Sequence, residues 1–140
     1  MRDTTTSAHA ALTRHPWAAQ AWVEHPPTPT LFRYTEARLA CLRRADFPIE
    51  TAYAAYHVLD NYVIGHTIQQ LNFATTFPTW HDGGAEQVAN AALAVIPLDD
   101  FPFLVEHIRH HLDDTSHSHG DDFGFGLDLI LDSLERLREP

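Results

Sequence analysis

His107 and His111 stand four residues apart, the step that places two side chains on one helical face and that paired imidazole ligands of a metal use. His110, His117 and His119 accompany them, with Asp113, Asp114, Asp121 and Asp122 close by. Imidazole and carboxylate at this spacing suit zinc or nickel. Structural zinc, however, draws on Cys or on a fixed frame around the ligands, and Asp113 to Asp122 reads as a polar loop. The stretch is therefore read as a solvated, charged loop, and no metal and no other cofactor is assigned. The alternative it supports is a His/Asp-based metal-binding helical protein.

A second set of polar groups lies in apolar surroundings. Tyr53, Tyr56, His57, Asn61 and His66 fall on or beside the hydrophobic stripe of one long helical pattern. A mostly apolar surface with a few placed polar groups is the make-up of a small-molecule cavity. Trp17 and Trp22 are aromatic candidates to line the same cavity. The plainer reading of each is a core-rim residue whose polar atom finds a partner or water. For catalysis the sequence offers no Gly-x-Ser-x-Gly elbow, no Gly-rich phosphate loop and no Cys–His pairing in a recognisable context. Cys41 is the only cysteine, so an intrachain disulfide is ruled out, and its helical surroundings make it a small buried apolar group. The expectation is a protein that binds and is not an enzyme.

Charge narrows the partners. Nineteen acidic residues face nine basic ones, all Arg, for a net charge of -10. That balance repels phosphate backbones, and apart from Arg43–Arg44 the Arg residues are scattered, so this chain alone should not bind DNA. No apolar run approaches the roughly 18 residues of a membrane span. The opening Met-Arg-Asp-Thr-Thr-Thr-Ser lacks the apolar core of a signal peptide, and the expected location is cytoplasmic, without a membrane partner. With 140 residues, one domain with one well-filled core is expected.

The elements that must position these groups are all helical by pattern. Ala8 to Thr13 reads as the tail of a helix. Pro16 to Glu24 reads as a short helix opened by a first-turn Pro. His25 to Thr30 is a Pro-rich break. Thr30 to Arg44 follows, with Leu31, Tyr34, Leu39 and Leu42 inward and the Arg side chains mostly elsewhere. From Ile49 to Leu71, residues Ile49, Ala52, Tyr53, Tyr56, Leu59, Val63, Ile64, Ile68 and Leu71 keep the helical period over about six turns. Gly65 interrupts that pattern and is expected to let another helix approach closely. Ala85 to Val95 is short and Ala-rich. Pro97 to Asp100 leads into a helix ending near Leu112. In the last segment Leu127, Ile130, Leu131, Leu134 and Leu137 recur at three- and four-residue steps, and Phe123 and Leu129 widen the face. A stripe this broad meets two surfaces, its own bundle and a partner subunit. The predicted fold class is all-α, a bundle of six or seven helices, forming a homodimer.

Four segments carry a resemblance to a known family: Arg14-His-Pro-Trp17; Glu36 to Phe47; Ala52-Tyr-Ala-Ala-Tyr56 with Tyr62-Val-Ile-Gly65; and Phe123-Gly-Phe-Gly-Leu-Asp-Leu-Ile-Leu-Asp-Ser-Leu-Glu135 behind an acidic, His-rich loop. In this order they resemble the C-terminal, effector-binding domain of tetracycline-repressor-like (TetR family) transcriptional regulators. The resemblance implies a dimer paired through an intersubunit four-helix bundle, here from Ala85–Val95 and Phe123–Leu137. It places Val88, Ala92, Phe123, Leu127, Ile130, Leu131 and Leu134 in that interface. It further implies a pocket for a small apolar or amphipathic effector, whose binding moves a connecting helix and respaces two DNA-reading helices. Residues 1–14 resemble only the end of that connecting helix. The helix-turn-helix module is expected to be absent from this chain, so DNA contact would come from a domain outside it. A stand-alone dimerisation partner lacking DNA binding is a further alternative. Aligned without a gap, Trp22 stands where tetracycline repressors proper carry a magnesium-binding His, which counts against a tetracycline–magnesium ligand; a one-residue gap would put His25 there.

Overall fold

Among the described residues, seven α-helices make up the regular structure and no strand occurs. The computed structural model describes residues 1–24, 28–78, 84–113 and 122–138, without the side chains of Gln20, Val23, Glu24, His111 and Asp113. The helices are α1 (Arg2–Arg14), α2 (Pro16–Glu24), α3 (Pro29–Arg44), α4 (Ile49–Thr76), α5 (Ala85–Val95), α6 (Pro102–Asp113) and α7 (Asp122–Arg136). No helix among the described residues is long and apolar enough to cross a membrane.

Local chemistry sets most of the boundaries. Pro16, Pro29 and Pro102 each open a helix, where a missing N–H breaks no internal bond. Thr28 caps α3 by accepting a hydrogen bond from the Leu31 N–H at 3.2 Å. After α3 the chain turns through Asp46, whose φ of 64° is a left-handed conformation that Asp tolerates better than most residues. The turn is fastened by the Phe47 N–H donating to Leu42 O at 3.3 Å and by the Arg43 guanidinium donating to Phe47 O at 2.5 Å. Asp122 in the first turn of α7 and Arg136 in its last both complement the helix dipole.

The chain divides into two compact units, Met1–Leu71 with Asp122–Pro140, and Asn72–Asp121. In the first, Leu12, Ala19, Leu59, Val63, Phe123 and Leu127 form one buried cluster, so α1, α2, α4 and α7 meet around it. Burying a side chain such as Leu59 contributes about 1.5–3 kcal/mol. A second cluster of Leu42, Phe47, Ala52 and Ala55 seals the turn between α3 and α4. In the second unit α5 packs on α6, with Ala89 and Val105 buried. Phe101, Phe103 and Leu104 are exposed there.

Four expectations are corrected. Gly65 has open space around it: among the described residues, outside its own helix backbone, no atom lies within 4 Å of where a Cβ would stand, so no helix of this chain is seen to approach it. The close approach occurs at Gly126, where a Cβ would collide with the Tyr62 hydroxyl and lie 2.8 Å from its ring carbon Cζ. Cys41 is exposed and is not the small buried group expected. Arg38 does not join the other Arg side chains outside: it is 1% exposed and occupies the inner face of α3. On α4, Ile49, Tyr53 and Ile68 also stand exposed despite their place in the helical pattern.

Candidate functional site

Arg38 is the center of a polar cluster inside the first unit. It shares a helical face with Tyr34 and Leu42, one turn to either side, so the turn that buries Leu42 buries the guanidinium too. Across from it, α4 presents Asp60 one turn beyond Tyr56. Arg38 Nη1 donates to Asp60 Oδ1 and to Tyr34 Oη, both at 2.5 Å. Tyr34 Oη in turn lies 3.5 Å from Asp60 Oδ1 as donor. The Tyr56 and Thr35 hydroxyls are 3.2 Å apart. The guanidinium carbon sits 5.2 Å from the Tyr34 ring centroid and 5.4 Å from that of Tyr56, within cation–π range of both. Trp22 meets Tyr34 edge-on at 5.1 Å.

The electrostatics leave this cluster incomplete. Arg38 Nε and Nη2 are buried and have no hydrogen-bond partner among the described residues. Each unpartnered buried donor costs about 1–3 kcal/mol, more on a charged group. Burial pushes the Tyr34 phenol above its ordinary pKa, with the Arg38 charge acting against it and the Asp60 charge with it. Burial likewise raises Tyr56, opposed by its hydrogen bond with Thr35 and reinforced by Asp60. Both phenols therefore stay protonated at neutral pH. The arrangement is a fixed cation with two donors to spare, walled by aromatic rings. It can bind and orient an acceptor.

A second polar cluster lies between α1, α4 and α7. His9 stacks on Phe123 at 3.9 Å with 7° between planes, and meets His66 edge-on at 5.1 Å. Tyr62 stacks on Phe123 from 5.1 Å and donates to Phe123 O at 2.9 Å and to Asp122 O at 3.2 Å. His9 Nε2 and His66 Nδ1 are buried without a partner among the described residues. Desolvation lowers the His9 pKa, His66 adds to the shift, and a hydrogen bond with Gln70 opposes it. Desolvation also lowers His66, with Asp122 pulling the other way.

The sequence candidates divide between these places. Trp22 and Tyr56 belong to the Arg38 cluster. His57 lies 5.0 Å from Tyr56 and 4.4 Å from Tyr53, so a line of rings runs from the cluster to exposed Tyr53. His66 belongs to the histidine cluster. Trp17 is 73% exposed and meets His15 in a ring contact, and Asn61 is exposed. On α7, Phe123 and Leu127 are buried in their own unit, while Ile130, Leu131 and Leu134 are half-buried against the same core. Phe125 and Leu129, one turn apart, point outward. Val88 and Ala92 on α5 are half-buried in the second unit.

Sequence reasoning missed Arg38, Asp60, Thr35 and His9. The signal was available for the first two: opposite charges each set on the apolar stripe of a helix. For metal, no group of three ligating side chains occurs among the described residues. His25, Asp114, His117, His119 and Asp121 lie outside the described residues, as do the side chains of His111 and Asp113. A shallow groove along α6 is lined by Phe103, Glu106, His107 and His110 among others, all from one helix, and it is open to solvent.

The family model described as tetracyclin repressor-like, C-terminal domain, matches residues 1–138. No curated protein and no solved structure matches the chain.

Proposed function

The chain belongs to the tetracyclin repressor-like C-terminal domain family, and on that premise we propose that it senses a small molecule and pairs with a second copy of itself within a transcriptional regulator. The family match over residues 1–138 is the observation that carries this reading. Domains of this family belong to regulators, not to enzymes.

The effector is a small apolar or amphipathic molecule, and its contacts center on Trp22 and Tyr56 beside Arg38, with His57 and Tyr53 leading outward. Trp17, Asn61 and His66 lie away from this cluster and receive no role in it. Pairing of subunits runs through α7 and α5. On α7 the outward Phe125 and Leu129 supply new apolar contact, and Ile130, Leu131 and Leu134 add their half-exposed edges. Phe123 and Leu127 support that helix from within. Val88 and Ala92 contribute from α5. DNA contact belongs to a helix-turn-helix segment outside this chain.

Signalling follows as a population shift, in which the effector must bind the DNA-incompetent arrangement more tightly than the competent one. The first helix is suited to carry the message, because it is fastened to α7 by the His9–Phe123 stack and by the Arg2–Asp128 ion pair. Sedimentation velocity at micromolar concentrations tests the reading. The chain should run as a dimer, and Phe125→Glu with Leu129→Glu should run as a folded monomer. A monomer from the unaltered chain at every concentration argues against it.

A further inference from the structure

We propose that the unpartnered edge of the Arg38 guanidinium receives the carboxylate of an amphipathic effector, whose apolar body lies against the rings of Trp22, Tyr34 and Tyr56. This rests on the small-molecule reading above and names the chemical class of its ligand.

The argument starts from an asymmetry within one side chain. Arg38 is 1% exposed, yet only one of its three nitrogens is partnered. Nη1 carries both acceptors, Asp60 and Tyr34. The empty pair, Nε and Nη2, forms one edge of the planar guanidinium, with two N–H bonds pointing the same way. That edge matches the two oxygens of a carboxylate, one for each N–H, whereas a single carbonyl or hydroxyl must share one oxygen between both.

Among the described residues no acceptor reaches that edge. Asp60 is engaged at Nη1. Tyr34 accepts from Arg38 and points its proton towards Asp60. Thr35 and Tyr56 are paired with each other. The tyrosine rings flank the guanidinium within cation–π distance, which favours a ligand with a flat or slender apolar body. Charge limits the choice further. Asp60 already balances Arg38, so any anion leaves the cluster net negative. A carboxylate adds one charge, whereas a phosphate dianion adds nearly two beside Asp60.

Calorimetry on the full chain tests this with 4-phenylbutyrate, indole-3-acetate and decanoate, each against the alcohol of the same skeleton. At least one acid should bind roughly tenfold more tightly than its alcohol or better. Arg38→Lys keeps the charge and removes the fork, and should erase the preference. Should that variant fail to fold, the neutral pair Arg38→Met with Asp60→Leu serves instead, and should bind the acid no better than the alcohol. Acids and alcohols binding alike, with Arg38→Lys changing neither, would overturn the carboxylate assignment and leave the small-molecule reading standing. Binding in neither series overturns both.

Discussion

Two polar clusters are buried in one unit of this protein, and they are held by different physics. Around Arg38 the glue is charge: a short ion pair to Asp60, a phenol bonded to both partners, and two guanidinium donors with nothing to bind. Around Phe123 the glue is stacking, with His9, Tyr62 and His66 ranged about one ring and their imidazoles kept neutral by desolvation. The unpartnered atoms differ in consequence. A neutral imidazole lacking one hydrogen bond is a tolerable defect, whereas an unfilled edge on a buried cation is a standing demand for an acceptor. That contrast is why the first cluster reads as a ligand site and the second as a joint between helices.

The largest effect should come from breaking the ion pair. Asp60→Asn leaves Arg38 buried without its counter-charge and should cost about 3–5 kcal/mol in urea unfolding. Arg38→Met with Asp60→Leu should recover most of that loss, since an apolar pair of similar volume often replaces a buried ion pair at little cost. A single-variant loss of under about 1 kcal/mol would place the pair at the surface in energetic terms and erase the contrast.

The stacked cluster should respond instead to shape. Gly126→Ala forces the new methyl against Tyr62, and should cost about 1–3 kcal/mol. Gly65→Ala meets nothing and should gain about 0.5–1 kcal/mol in the interior of a long helix. Thermal unfolding of the two variants should therefore move in opposite directions.

The smallest effect separates the clusters by pH. His9 and His66 have folded pKa values below the ordinary 6.5, so their neutral forms favour the native state. The stability they contribute is complete above that value, and falls as pH drops below about 6.5 because the unfolded chain takes up protons first. His9→Phe, which can keep the stack on Phe123, should flatten the acid side of the stability curve. An unchanged acid limb would remove the histidines from the account.

Much of this was legible in the chain. Proline positions and helical periodicity placed the helix starts, with the Ala-rich α5 and Pro16–Glu24 recovered to the residue. The tight contact at Gly126 was not foreseen: periodicity pointed to Gly65, since an isolated Gly in a strong pattern looks purposeful whether or not anything approaches it. Arg38 was hidden by the habit of assigning charge to the outer face. Its partner sits 22 positions away, and no local pattern pairs two helices in register. His9 was missed for the same reason, because Phe123, on which it stacks, lies on a distant helix.

The division of labour between the clusters can be read directly by nuclear magnetic resonance, following the Arg38 Nε–Hε signal and the His9 and His66 imidazole signals while indole-3-acetate, or whichever acid binds best, is added. The account predicts that the Arg38 signal moves and becomes protected from exchange with water, while the histidine signals shift little. A ligand that moves the histidine signals and leaves Arg38 Nε–Hε untouched would contradict it.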